Sequence, residues 1–329
     1  MTAGGAASPG RAASAGLRDL GDRLRSHGLT ARALEAWAGT ASSALVSDYL
    51  RGRPRATQTP AAALFELLVR GTEIGPDQLR APALVDALIA HGVVERAGDE
   101  LHARVAVLPL DRALVVCDRR DAPVERDLVC WPDGSSEHVA RSIPPGRRDA
   151  WIDLCCGSGF APLTRPGQAR QIAAIDLNDR AVAYARLGAA LSGVAHLAIS
   201  QGDVAAHAEP ADLVTCNTPI PDPEPDASAP LWCLTEPGLF DRLWPALARA
   251  VRPGGMIIVH AVTEAIVPRL SRAAGERVVV TYTPEGVRDF SVAWWRPDAA
   301  SRLIHVRRAL SAGRPSITAD DRDDALARG

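Results

Sequence analysis

No run of apolar residues in this 329-residue chain approaches the ~20 that a membrane helix needs, and the opening stretch MTAGGAASPGRAASAG has no apolar h-region. Neither a span nor a secretory leader is expected, and a cytoplasmic location is. The six cysteines (Cys117, Cys130, Cys155, Cys156, Cys216, Cys233) include no CxxC pair and no histidine spacing that favours zinc. They are read as reduced thiols acting as small hydrophobes, with no metal site. Lysine is absent: all 37 basic residues are arginine, a bias of base composition rather than of chemistry. With 39 acidic residues the net charge is -2, so no broad basic face is available for nucleic acid. What remains, 47% hydrophobic and 23% charged residues, suits one large domain or two smaller ones.

Residues 1–16 are small and Ser/Gly/Ala-rich, and are expected to be a disordered tail. From Leu17, the stretches LRDLGDRLRSHG, TARALEAWAG and ASSALVSDYLRG carry apolar residues at helical spacing and end at or near glycine. TPAAALFELLVRG is better marked, with Thr59 at the N-cap, Pro60 at the first helical position and Gly71 past the end. A helix from Pro82 to His91, a short strand, a Gly-Asp turn and a longer strand then follow the pattern of a winged helix. That helix carries Asp86 as its only charged residue, which disfavours groove and phosphate contacts and favours a packing or substrate-covering role. A further strand over 112–118 leads to a linker. The expected division is a winged-helix-like substrate or dimerisation domain over 17–145, a catalytic domain over 146–310 and a loosely docked polar tail over 311–329.

From Trp151 short apolar strands alternate with amphipathic helices. WIDLCC, QIAAIDL, HLAISQG, DLVTCN and MIIVHAV are the strands, and the alternation predicts an α/β fold with a doubly wound, Rossmann-like parallel sheet. ERVVVTYTP and FSVAWWRP are expected to pair antiparallel at the sheet edge, with Trp294 or Trp295 turned into the core.

The glycine-rich loop DLCCGSG (153–159) follows the first strand, where such folds bind cofactors. Asp176 ends the next strand 19 positions after Gly157, a spacing at which a carboxylate can hold two ribose hydroxyls. Gly202 and Asp203 end the third, where a carboxylate can accept from an adenine amino group. A dinucleotide fingerprint needs a third glycine at the position of Pro162, and Asp153 would repel a pyrophosphate while suiting an amino-acid ammonium. The fourth strand ends in Asn217, Thr218, Pro219 and Ile220.

In this order the strand-end residues resemble the motifs of class I S-adenosylmethionine-dependent methyltransferases, and AIDLNDRAVAYARLGAALSG is similar to the second strand and helix of the release-factor glutamine N-methyltransferases. The resemblance implies S-adenosylmethionine bound by Asp153, Cys155, Gly157, Gly159, Asp176, Leu177, Gly202, Asp203, Val204 and Asn217. It also implies an acceptor nitrogen aimed by Asn217 and the loop Thr218, Pro219 and Ile220. That group has Asn-Pro-Pro-aromatic where this chain has Asn-Thr-Pro-Ile, so the aromatic face for a flat amide or base is missing. Trp232, Trp294 and Trp295 are substitute rings. Ser135, Ser136 and Glu137 are acceptor-side candidates in a segment that related enzymes lay across the cofactor, with a polar turn as the plainer account. Asp222, Glu224 and Asp226 form either an amine-favouring loop or a solvated one. His138 and His207 are weak candidates for a base. The expected activity is N-methylation of a small polar metabolite by a possible homodimer. The alternatives are methylation of a protein or ribosomal side chain, and a cofactor-sensing winged-helix regulator.

Overall fold

The computed structural model describes residues 9–39, 46, 59–204, 209–220, 230, 239–284, 288–311 and 315–328. Two compact units divide the chain, Met1–Ala122 with Tyr184–Ala195, and Pro123–Ala183 with His196–Gly329. The segment 123–145, placed with the N-terminal domain on sequence grounds, lies in the second unit.

Helices form the first unit's beginning. Helix α1 (Pro9–Ser26) starts eight residues before Leu17, so the expected disordered tail is helical from Pro9. It buries Leu20 and Leu24. Helix α2 (Ala31–Ala38) opens where the Thr30 hydroxyl accepts from Ala33 N and closes at Gly39, whose φ of 79° is left-handed. Helix α3 (Pro60–Phe65) uses Thr59 in the same way, then widens into a single π turn over Glu66–Arg70 before Gly71. Glu66 is fully buried there, and both Arg70 and Thr72 donate to it, as a buried carboxylate requires. The helix expected over 41–52 lies outside the described residues apart from Val46.

Helix α4 (Pro82–Ala90) leads into a hairpin of β1 (Val94–Ala97) and β2 (Glu100–Ala103), turned at Gly98 and Asp99. The longer strand expected after that turn is broken. At Arg104 the chain changes partners, and β3 (Ala106–Leu110), buried at every residue, pairs with β4 (Ala113–Cys117) in a separate sheet. A helix followed by a hairpin is thus present, but its second strand ends after four residues instead of extending a wing.

The second unit is built on an eight-stranded sheet of order β12-β10-β11-β9-β8-β5-β6-β7. Its strands are β5 (Arg148–Leu154), β6 (Ala169–Asp176), β7 (Leu197–Gln201), β8 (Ala211–Asn217), β9 (Val251–Val262), β10 (Glu276–Tyr282), β11 (Phe290–Arg296) and β12 (Arg302–Arg307). Strands β5 to β9 are parallel, and β11 runs antiparallel between β9 and β10. This is the expected doubly wound, Rossmann-like sheet. Its chain order reverses between β5 and β8, the switch point at which such sheets open a crevice. Its helices are α5 (Gly134–Arg141), α6 (Phe160–Thr164), the first turn of α7 (Asp179–Ser192), whose remainder from Tyr184 belongs to the first unit, α8 (Leu239–Ala250), α9 (Thr263–Arg272) and α10 (Ala319–Arg328). Both tryptophans of β11 are buried: Trp294 donates to Ser142 O, and Trp295 donates to Ala274 O while stacking on Trp244 at 4.8 Å. An aromatic stack of this kind contributes about 1 kcal/mol beyond its area.

Two expectations at this end are corrected. The edge is formed by β12, parallel to β10, outside the antiparallel pair. Arg302, Leu303, His305 and Arg307 are exposed and Ile304 and Val306 only half-buried, so no buried apolar face marks the strand in the sequence. The C-terminal segment is docked rather than loose. Ile317 is fully buried, Ser316 donates to Glu137, and Asp321 accepts from Thr318 N at 2.8 Å while pairing with Arg308. The Arg308 and Asp321 side chains are 13% and 7% exposed, so removing one charge strands the other in a desolvated place. Asp321→Ala is expected to lower unfolding stability by about 3 kcal/mol in urea titration, whereas a loosely docked tail would show no change.

Candidate functional site

Strand β5 carries Trp151, Asp153 and Leu154 into the switch point in direct register with Leu213, Thr215 and Cys216 of β8. The pairing brings Asp153 beside Thr215. Thr215 accepts from the Trp151 indole at 2.8 Å and donates its hydroxyl to Asp153 Oδ1. Asp153 is 4% exposed. Thr215 is its only hydrogen-bond partner among the described residues, and no cationic side chain offsets it. Burial, with a smaller contribution from Asp176, therefore pushes its carboxyl up to about 7.

After Leu154 the chain turns sharply. Cys155 takes a left-handed φ of 56°, followed by Gly157 at 52° and Gly159 at 73°. Left-handed backbone is strained for a cysteine and free for glycine. Nothing lies within 4 Å of where a Gly157 side chain would begin. Its N–H donates to Asp176 Oδ2 at 2.7 Å, and Asn178 N donates to Asp176 Oδ1 at 2.9 Å. The loop and the end of β6 are thus joined through one carboxylate, which the Leu177 N–H also faces. Burial holds the Asp176 carboxyl above its ordinary value.

A cavity of about 760 Å³ opens at these strand ends. It is lined by Asp153, Cys155, Gly157, Asp176, Leu177, Asp203, Val204, Asn217, Thr218, Pro219 and Ile220, which places most of the predicted cofactor and acceptor residues around one space. Leu177 is 58% exposed there, an apolar surface at the rim. Gly159 and Gly202 are not in the lining; Gly159 caps α6.

The segment 131–138 also reaches the cavity, as a helix start rather than a polar turn. Asp133 caps α5, accepting from Ser135 N and Ser136 N. Asp133, Ser135 and Ser136 line the cavity, and Glu137 does not. Glu137 is 5% exposed and bonded to Ser316, so the structure removes it from the acceptor side. His138 is likewise buried: its Nδ1 accepts from Ile317 N, and burial beside His260 lowers its pKa to about 3. Neither can act as a base in the cavity. Trp232, His207, Asp222, Glu224 and Asp226 lie outside the described residues.

Sequence reasoning missed Thr215, Asp133 and His260. Thr215 and His260 act across strands, where no spacing along the chain connects them to Asp153 and Asn217. Asp133 had a local signal, Asp-Gly-Ser-Ser before a helical run. Asn178 was also overlooked: it caps α7 by accepting from Arg180 N at 3.0 Å, and donates to Asp127 O at 2.8 Å. That bond ties the segment carrying the lining residues Arg126, Leu128 and Trp131 to the end of β6.

The raised Asp153 value has a thermodynamic sign. Its folded pKa lies above the unfolded value of about 3.9, so its contribution is fully present below about pH 4 and is lost as pH rises through about 7. Unfolding stability of the ligand-free protein is expected to fall across that window, and Asp153→Asn to flatten the fall, as read by denaturant titrations at pH 4.5, 6 and 7.5. An identical slope in the variant would place the titration elsewhere.

Residues 132–235 match the family described as "Methyltransferase small domain". The ubiquinone biosynthesis O-methyltransferase of Aromatoleum aromaticum is 26% identical over 157 residues, which are 46% of this chain and 59% of that protein. The chain therefore spans less than two thirds of that curated relative. Among solved structures, N-methyltransferase NodS from Bradyrhizobium japonicum in complex with S-adenosyl-L-homocysteine is 18% identical, with 54% of this chain and 89% of that one covered at a TM-score of 0.39. A putative methyltransferase from Streptococcus mutans, in complex with SAH, is 14% identical over 49% of this chain and 95% of that one, at a TM-score of 0.38. The matched segment 132–235 contains the loop after β5, the end of β6 and the end of β8, the residues whose motifs resemble those of class I methyltransferases.

Proposed function

We propose that this chain is an S-adenosylmethionine-dependent methyltransferase that methylates a nitrogen on a small polar acceptor. The observation that carries the reading is Asp153: a buried carboxylate with no cationic partner among the described residues, lining the cavity at the switch point. A site that bound a phosphate-bearing dinucleotide there would be destabilised by that charge, whereas an amino-acid ammonium supplies the missing partner.

The other residues fit the same ligand. Asp176 lines the cavity where it can accept from vicinal hydroxyls, and the backbone bonds it receives hold it rigid for the purpose. Leu177 offers an apolar face for a purine, with Asp203 and Val204 beside it in the lining. The open space at Gly157 lets the main chain come close to the ligand. When bound, S-adenosylmethionine supplies a methyl group already activated by positive sulfur, so placement of the acceptor is what the protein adds.

On the acceptor side, Asn217, Thr218, Pro219 and Ile220 line the cavity. Thr218 is fixed by two bonds to His260 O, from its N–H at 3.0 Å and its hydroxyl at 2.9 Å, and Pro219 limits the turn that follows. An uncharged amine presents its own lone pair, so no dedicated base is required. A small acceptor is supported by the cavity, whose volume falls in the ~300–1,000 Å³ range of cofactor and metabolite sites. The domain class alone also accommodates protein side chains.

Calorimetric titration with S-adenosylhomocysteine is expected to give one site, weakened about tenfold or more by Asp176→Ala, a loss of at least ~1.4 kcal/mol. Absence of binding would contradict the reading at its base. Cell extract incubated with the protein and methyl-labelled cofactor should gain label among small molecules. Label confined to protein would contradict the acceptor class while leaving the methyltransferase reading intact.

A further inference from the structure

Behind Asn217 lies a row of hydrogen bonds that the reaction as described does not use. Ser135 Oγ is 2.5 Å from Asp133 Oδ1, and Asn217 Nδ2 is 2.8 Å from Ser135 Oγ. His260 Nδ1 is 2.9 Å from Asn217 Oδ1, and His260 Nε2 is 2.8 Å from the Tyr282 hydroxyl. Asn217 and His260 are direct partners in the parallel register of β8 and β9. Asp133, Ser135 and Asn217 line the cavity, whereas His260 is fully buried and Tyr282 is 3% exposed.

The direction of every bond in the row can be assigned from its ends. The Asp133 carboxylate only accepts, so Ser135 gives it the single hydroxyl proton. Ser135 must then accept from Asn217, which fixes the amide with Nδ2 toward the serine and Oδ1 toward the histidine. His260 must therefore donate from Nδ1. Desolvation lowers its pKa to about 3, so the ring is neutral and Nε2 is left to accept from the Tyr282 hydroxyl. Donation runs one way, Tyr282 to His260 to Asn217 to Ser135 to Asp133, an arrangement in which neighbouring bonds strengthen one another. The reversed amide would leave Ser135 with two acceptors for one proton.

We propose that His260, with Tyr282 behind it, is the positioning residue that holds Asn217 with its amide oxygen available, through the second lone pair, to an N–H of the acceptor. This deepens the proposed function and rests on it. With a nitrogen acceptor, as proposed, the nitrogen still carries a hydrogen, in a primary or secondary amine, because one N–H is spent on Asn217 while the lone pair takes the methyl; the carbon–sulfur pair stays with S-adenosylhomocysteine, and the ammonium formed sheds a proton to water. A tertiary amine or a carbon acceptor leaves that oxygen unmatched.

The probe is sinefungin, the cofactor analogue in which an amine-bearing carbon replaces the sulfur and its methyl, compared with S-adenosylhomocysteine, which lacks the amine. Wild-type protein is expected to bind sinefungin about tenfold more tightly. His260→Phe and Tyr282→Phe should reduce that ratio to about threefold or less while leaving the S-adenosylhomocysteine affinity within about twofold. Tyr282→Phe removes one oxygen only and serves where His260→Phe does not fold. In 15N-histidine-labelled protein without ligand, the His260 signal is expected to show the neutral Nδ1–H tautomer, and Tyr282→Phe to admit the other. A wild-type ratio kept in both variants, or an Nε2–H tautomer in the wild type, overturns the proposal. Failure of S-adenosylhomocysteine to bind would overturn the proposed function instead, and the tautomer experiment would still test the direction of the row.

Discussion

A carboxylate without a counter-charge, held nearly dry at the end of the first strand of the parallel sheet, is the constraint around which the second unit is organised. Leaving Asp153 there costs free energy unless something positive enters the cavity. Its neighbours relieve the charge only in part, through the Thr215 hydroxyl, and otherwise hold it in place. Trp151 donates to Thr215, Thr215 donates to Asp153, and the parallel register of β5 with β8 brings the three together. On the function proposed above, that cost is carried by the ligand-free protein and offset when the ammonium binds.

Two further groups of bonds give the cavity its shape from opposite sides. On the cofactor side, one carboxylate, Asp176, collects N–H groups from the glycine loop and from the start of α7. On the acceptor side, one amide, Asn217, is gripped by Ser135 from α5 and by His260 from β9. Each gathers elements distant in sequence onto a single side chain, so the groups facing the ligand are pre-placed and little ordering remains at the moment of binding. The dry surroundings of His260, stacked on Phe290 at 5.6 Å, keep its ring neutral and its donor direction fixed.

How much of this could be read in advance depended on whether the signal ran along the chain or across it. The alternation of apolar strands and amphipathic helices from Trp151 onward named the sheet, and strand-end residues such as Asp153, Asp176 and Asn217 fell into one cavity because doubly wound topology gathers those ends by construction. Caps with local chemistry were equally legible, as Thr59, Pro60 and Gly71 show. What stayed hidden was pairing. Nothing in the sequence links Asn217 to His260 or Asp153 to Thr215 until register is known. Glu137 looked like a site residue because its neighbours are; a turn of helix points it at Ser316 instead. The C-terminal stretch looked like a tail because its composition is polar, yet the buried Ile317, Ala319 and Ala325 and one buried ion pair fix it.

The central claim is that the cavity binds a ligand whose positive charge meets Asp153. It is tested most directly by counting protons on binding: titration with S-adenosylhomocysteine at pH 6 in several buffers of different ionisation enthalpy. With the free carboxyl near 7 and an ammonium beside it in the complex, the account predicts release of close to one proton, abolished in Asp153→Asn. Binding with no linked proton, or with the same release in the variant, would contradict it.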